Sequence, residues 1–104
     1  MAGDRPRLIW SENANKDLMS IWQYGVEEWS EEIAEKHLFE IEHMCGRLIE
    51  TPMLGKSRDE IIAGMKSIAV RPHVVFYDLS KGAIEIVRIL HQRIDVEGAF
   101  PAGL

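Results

Sequence analysis

At 104 residues, 46% hydrophobic and 28% charged, the chain has the make-up of one folded domain around a single core, which excludes disordered, collagen-like and low-complexity classes. No apolar run approaches the ~18 to 20 residues that a membrane span requires, and the opening MAGDRPRLIW lacks the apolar centre of a secretion signal, so a cytoplasmic address is expected. A net charge of −5 argues against a protein whose main work is gripping phosphate backbones. That charge is uneven. Residues 1–55 hold five Lys or Arg against eleven Asp or Glu, while residues 56–104 hold seven against six. The lone Cys45 allows no internal disulfide, and four scattered histidines offer no paired zinc-ligand spacing, so neither metal nor cofactor is expected.

Arg7, Leu8, Ile9 and Trp10 predict a short strand, ended by the turn and helix-capping types Ser11, Glu12 and Asn13. From Ala14 to Trp29 the apolar residues Leu18, Ile21, Trp22, Val26 and Trp29 recur at spacings of three, four and seven, which places them on one face of a helix. Ser30 is a good N-cap, and Glu31 and Glu32 then lie where the helix dipole favours negative charge. Ala34, Leu38, Ile41, Cys45 and Leu48 continue the apolar stripe until Pro52 stops the second helix near Glu50. With only a residue or two between them, the two helices are expected to fold back as an antiparallel hairpin.

Thr51 to Met65, with Pro52, Gly55 and Gly64, reads as a long loop with a helical turn near Asp59 to Ala63. Lys66–Val70, His73–Leu79 and Ala83–His91 then read as strands separated by the turns Arg71-Pro72 and Ser80-Lys81-Gly82. The last strand is apolar on both faces, with Ile84, Ile86 and Leu90 on one and Val87 and Ile89 on the other, so it is expected inside the sheet. The predicted fold is α+β: an N-terminal strand, then an antiparallel helix hairpin packed on a sheet completed by a three-strand antiparallel meander.

Three segments resemble one known family: Asn15, Lys16, Asp17, Leu18 and Ile21 in the first helix; Gly55, Arg58, Glu60, Ile61, Gly64 and Lys66 in the loop; and the run from Ile86 to Asp95. Together they are similar to a ParE-type toxin of the RelE/ParE superfamily, with the core spanning about 7–95 of a single domain. Lys66 departs from the family, which more often carries Arg there; Lys keeps the charge and loses the planar fork. The resemblance implies a toxin that traps DNA gyrase on cleaved DNA and is held inactive, as a hetero-oligomer, by a ParD-like antitoxin. It implies no enzymatic activity, no membrane partner and no sequence-specific nucleic-acid binding. The alternatives are a RelE-like ribosome-dependent endoribonuclease and a homologue that has lost toxicity but still binds its antitoxin.

Arg88, His91 and Arg93 form a candidate target-binding cluster at the end of the last strand, with Arg58 in the loop as a further member. The competing structural role for Arg88 is an ion pair to a loop acid such as Glu60, and for Arg58 it is loop anchoring. Leu18, Trp22 and Trp29 are candidate antitoxin contacts; core packing is the plainer role for the tryptophans, and any one left exposed would suit a groove for an amphipathic helix. RNA cleavage would have to rest on His91 with Arg88 or Arg93, because the last tyrosine is Tyr77. Lys56, Lys66, Arg71 and Lys81 read as solvated charges, His37 and His43 as surface histidines, and His73 and Cys45 receive no function.

Overall fold

A computed structural model describes residues 6–80, 82–93 and 96–100. The predicted turn residue Lys81, and Ile94 and Asp95 at the end of the family-like run, lie outside the described residues. In chain order the elements are β1 (Arg7–Trp10), α1 (Glu12–Glu28), α2 (Glu31–Glu50), β2 (Lys56–Ser57), β3 (Met65–Val70), β4 (His73–Ser80), β5 (Ala83–His91) and α3 (Val96–Ala99). One five-stranded sheet has the order β1-β5-β4-β3-β2, in which β1 runs parallel to β5 and every other pair is antiparallel. The last strand is thus flanked on both sides, as its two apolar faces require.

The helix boundaries follow the capping residues. Ser11 begins α1 by accepting the Ala14 N–H at 2.9 Å, two residues ahead of the start that apolar spacing suggests. Ser30 begins α2 by accepting the Ile33 N–H at 3.2 Å. The hairpin closes tightly because Gly25 faces Ala34: a Cβ on Gly25 would lie 2.9 Å from that of Ala34, closer than two carbons can sit without displacement. Ala14, Ile41, Cys45 and Leu48 from the hairpin meet Val75, Tyr77, Ile84, Ile86 and Ile89 from the sheet in the main core. Each aliphatic side chain fully buried there contributes about 1.5–3 kcal/mol. Burial also pushes the Cys45 thiol up to about 12, with Glu42 adding to the shift. The native protein should therefore resist thiol-directed reagents at pH 7 and react fully after denaturation, which a timed Ellman titration reads directly.

The long loop departs from expectation at one point. Residues 56–57 form the short edge strand β2, whereas the expected helical turn is a single one that begins at Arg58, whose carbonyl accepts from the N–H groups of both Ile61 and Ile62. Tyr77 fixes this loop from inside the core. Its hydroxyl donates to the Pro52 carbonyl and accepts the Gly55 N–H, both at 2.8 Å. Gly55 is required there, because a Cβ would come within 2.6 Å of the Ser67 carbonyl oxygen. On the other face of the sheet, Met65, Phe76, Leu90 and Phe100 make a second cluster that α3 and the loop residues Ile61 and Ile62 help to cover.

The faces of β5 also differ from simple alternation. Tyr77 pairs with Ile86 but Phe76 pairs with Arg88, so Val87 is an extra residue, a β-bulge. Beyond it every side chain changes face: Ile89 joins Ile84 and Ile86 under the helices, while Leu90 joins Val87 in the second cluster.

Candidate functional site

The bulge decides the make-up of the principal groove. Counted from the β4–β5 turn without interruption, Leu90 would fall opposite His73; the extra residue puts His91 there instead. Both imidazoles then lie on the helix-covered face, with ring centroids 5.9 Å apart. At that end of the sheet lies a cavity of about 660 Å³, lined by Tyr24 of α1, Trp29 of the helix junction, His37 of α2, His73 of β4, and His91 and Arg93 at the end of β5.

Five rings form a continuous edge-to-face chain along this groove. Tyr24 meets Trp29 at 5.7 Å, Trp29 meets His37 at 5.5 Å, His37 meets His73 at 5.9 Å, and His73 meets His91. Trp29 belongs here and not in the core: α1 ends at Glu28, Trp29 is its C-cap, and the side chain is 53% exposed. Tyr24 is 57% exposed beside it. Two large aromatic side chains left half in water at the lip of a cavity suit a partner's apolar residues. Leu18, in contrast, packs against the main core, and Trp22 on the same helix is half-buried.

His73 is the buried member of the chain. Desolvation first, then the neighbouring His37 and His91, push its pKa down to about 4, so it is neutral at physiological pH. His91 is exposed, and its Nδ1 accepts the Arg93 N–H at 3.2 Å. His37, which sequence reading leaves on the plain surface, bridges the tryptophan and the buried histidine. His43 does stay on the surface, stacked on Phe39.

Arg88 is held by the fold. β1 reaches only as far as Ile86, and beyond it the edge of β5 is served by α1. The Ser11 N–H donates to the Ile86 carbonyl at 3.0 Å and the Ser11 hydroxyl to the Val87 carbonyl at 2.8 Å. Asp17 then accepts the Ile89 N–H at 2.9 Å and grips Arg88 through Nε at 2.8 Å and Nη2 at 2.9 Å. The remaining Nη1 reaches the Ala99 carbonyl at 3.4 Å. The ion-pair partner is therefore Asp17 of the first helix, not Glu60. With Asp17 and Arg88 cancelling one another, Arg93 is the cation that the groove offers to a ligand.

Arg58 lies apart from this groove. It donates from Nε to Ser67 Oγ at 2.8 Å, pairs with Glu60 at 3.4 Å and covers the Phe76 ring at 5.8 Å. Of the predicted site residues, the structure thus brings together Arg88, His91, Arg93 and Trp29, and adds Tyr24, His37 and His73. The sequence carried no local signal for the last three, because they come from separate elements and meet only through the hairpin and the bulge.

Comparison with known proteins agrees with this architecture. The family described as the ParE toxin of the type II toxin–antitoxin system, parDE, matches residues 8–96. The chain is 35% identical over 92 residues to Toxin ParE1 of Mycobacterium tuberculosis, covering 88% of this chain and 94% of that one. It is 33% identical to Toxin ParE1 of Caulobacter vibrioides over 85 residues, covering 82% and 88%. Among solved structures, one titled chromosomal ParDE TA system from P. aeruginosa superposes with a TM-score of 0.75 at 23% identity, covering 85% of this chain and 97% of that one. A YoeB/ParE toxin from Agrobacterium tumefaciens gives 0.59 at 16% identity, covering 82% and 96%, which shows the shared fold.

Proposed function

Because the chain belongs to the ParE toxin family of type II toxin–antitoxin systems, we propose that it arrests growth by trapping DNA gyrase on cleaved DNA in the cytoplasm, and that a ParD-like antitoxin silences it. The observation that carries this reading is the ring-lined groove, where half-exposed Tyr24 and Trp29 stand beside His91 and Arg93. An amphipathic antitoxin segment would lay apolar side chains on the two aromatics and order on binding. The same segment would cover Arg93, so neutralisation follows from occupying the surface that meets the target.

Two features support a binding mode of action over RNA cleavage. The phenol of Tyr77 is in the core with both of its hydrogen bonds committed to the 52–55 loop. Arg88 is committed to Asp17, which leaves His91 and Arg93 without the clustered cations that stabilise a phosphorane-like charge.

The test is incubation of the antitoxin-free protein with gyrase, ATP and plasmid, followed by detergent, protease and a gel for protein-linked cleaved DNA. Accumulated cleaved plasmid is expected, and Arg93→Ala should reduce it at least several-fold with folding intact. Growth arrest without cleaved plasmid would put the ribosome-dependent nuclease first. Neither arrest nor cleavage would leave an antitoxin-binding homologue.

A further inference from the structure

A second groove, of about 390 Å³, lies at the β2–β3 side of the sheet and has a different chemistry. It is lined by Ser67 and Ala69, which lie two and four residues beyond Met65 on the same strand and so share its face, the one turned away from the helix hairpin. Lys56 on β2, Arg58 at the loop and Arg71 in the β3–β4 turn line its walls. No acid, histidine, tyrosine or tryptophan is among its described lining residues, in a protein of net charge −5. Three of the seven cations in the C-terminal half thus converge on one trough that the linear sequence shows only as scattered charge.

We infer that this groove is a second binding site, and that its ligand is the phosphate backbone of duplex DNA. The cations are spaced for a polyanion. Lys56 sits opposite Ser67, and Arg71 lies four residues further along the same direction, so they are separated by roughly 13 Å along the strand. A duplex presents several phosphates over that distance. The small side chains of Ser67 and Ala69 let a backbone approach closely, and the Arg71 guanidinium is oriented by Gln92, whose Oε1 accepts from Nη1 at 3.0 Å. Arg58 is positioned by Ser67 and shares part of its charge with the exposed Glu60, as described above.

The chemistry selects the kind of nucleic acid. Single strands are held by stacking bases on exposed aromatic rings. No aromatic ring is among the described lining residues, and Phe76, which Arg58 covers, is buried beneath it. Lysine, arginine, serine and glutamine contact phosphate oxygens without reading bases, so binding is independent of sequence. With no imidazole or carboxylate among the described lining residues to take a proton, the groove holds a strand without cutting it. The site extends gyrase trapping by giving the toxin its own grip on DNA, and it stands whether or not gyrase is the target.

The test uses the antitoxin-free protein and a fluorescein-labelled 30-base-pair duplex, with no gyrase present, read by anisotropy as KCl is raised. Three phosphate contacts give a slope of about −2.7 in log affinity against log salt, hence a loss of about 40-fold between 50 and 200 mM. Lys56→Gln and Arg71→Gln should each reduce that slope by about one, leaving about a 12-fold loss over the same range. Lys16→Gln, on the exposed face of α1, should leave it unchanged. A labelled single strand of equal length should bind more weakly than the duplex. Absence of duplex binding at 50 mM, an unaltered slope in both groove variants, or preference for the single strand would each overturn the inference. Because the assay contains DNA alone, a negative result here leaves the gyrase experiment to be judged separately.

Discussion

Asp17→Ala is expected to lower the free energy of unfolding by about 3 kcal/mol, more than a typical single substitution. The carboxylate serves three donors at once: Nε and Nη2 of Arg88 and the backbone N–H of Ile89. Its side chain is 14% exposed and that of Arg88 22%, so neither partner is compensated by water when the other is removed. Arg88→Ala should fall in the same range. The double variant should cost clearly less than the two single losses added, because each single change already strands the other charge. Urea unfolding of the three proteins checks this, and strict additivity would refute the coupling. The result bears on any toxicity assay: an Arg88 variant is expected to lose stability as well as any contact, whereas Arg93 is exposed just beyond β5 with no side-chain ion pair or hydrogen bond among the described residues, and can be tested for target contact.

Acidification should destabilise the protein through His73. Its pKa is 6.5 in an ordinary setting and about 4 in the native groove, so between those values the unfolded chain binds more protons than the folded one. Stability is therefore lost as pH falls through 6.5 towards 4, amounting to about 2 kcal/mol between pH 7 and pH 5 from this group. His73→Gln should remove that part of the slope while keeping a polar side chain between His37 and His91. Denaturant titrations of both proteins at pH 7, 6 and 5 give the comparison; parallel pH profiles would show that some other group is responsible.

Much of the scaffold could be read from periodicity and caps. Ser30 marked the start of α2, the capping types Ser11, Glu12 and Asn13 marked that of α1 to within two residues, Pro52 marked the end of the hairpin, and the flanked position of the last strand followed from its apolar faces. Edge and end elements were harder: β2 has two residues and α3 four, too short to show a period. The face assignment of Ile89 and Leu90 failed because a bulge adds one residue to the count without changing composition. Arg88 stood out as a target-binding candidate with an ion pair to a loop acid as the competing role, but its actual partner lies 71 positions away, beyond anything a local pattern encodes. The same limit applies to the groove. Trp29, His91 and Arg93 stood out by residue type, whereas Tyr24, His37 and His73 became part of a site only when three elements met.

The bulge at Val87 also bears on how relatives of this chain should be compared. A homologue of the same length that pairs its last two strands without the bulge would retain nearly the same letters in its last strand. Yet its terminal histidine would turn to the opposite side of the sheet, away from His37 and His73, and the ring chain would end one member short. Kinship within the family can be scored column by column. Cross-recognition of antitoxins should instead follow strand register counted from the β4–β5 turn, so that two toxins with fewer matching letters and a shared bulge are expected to accept each other's partners more readily than two with more matches and different registers.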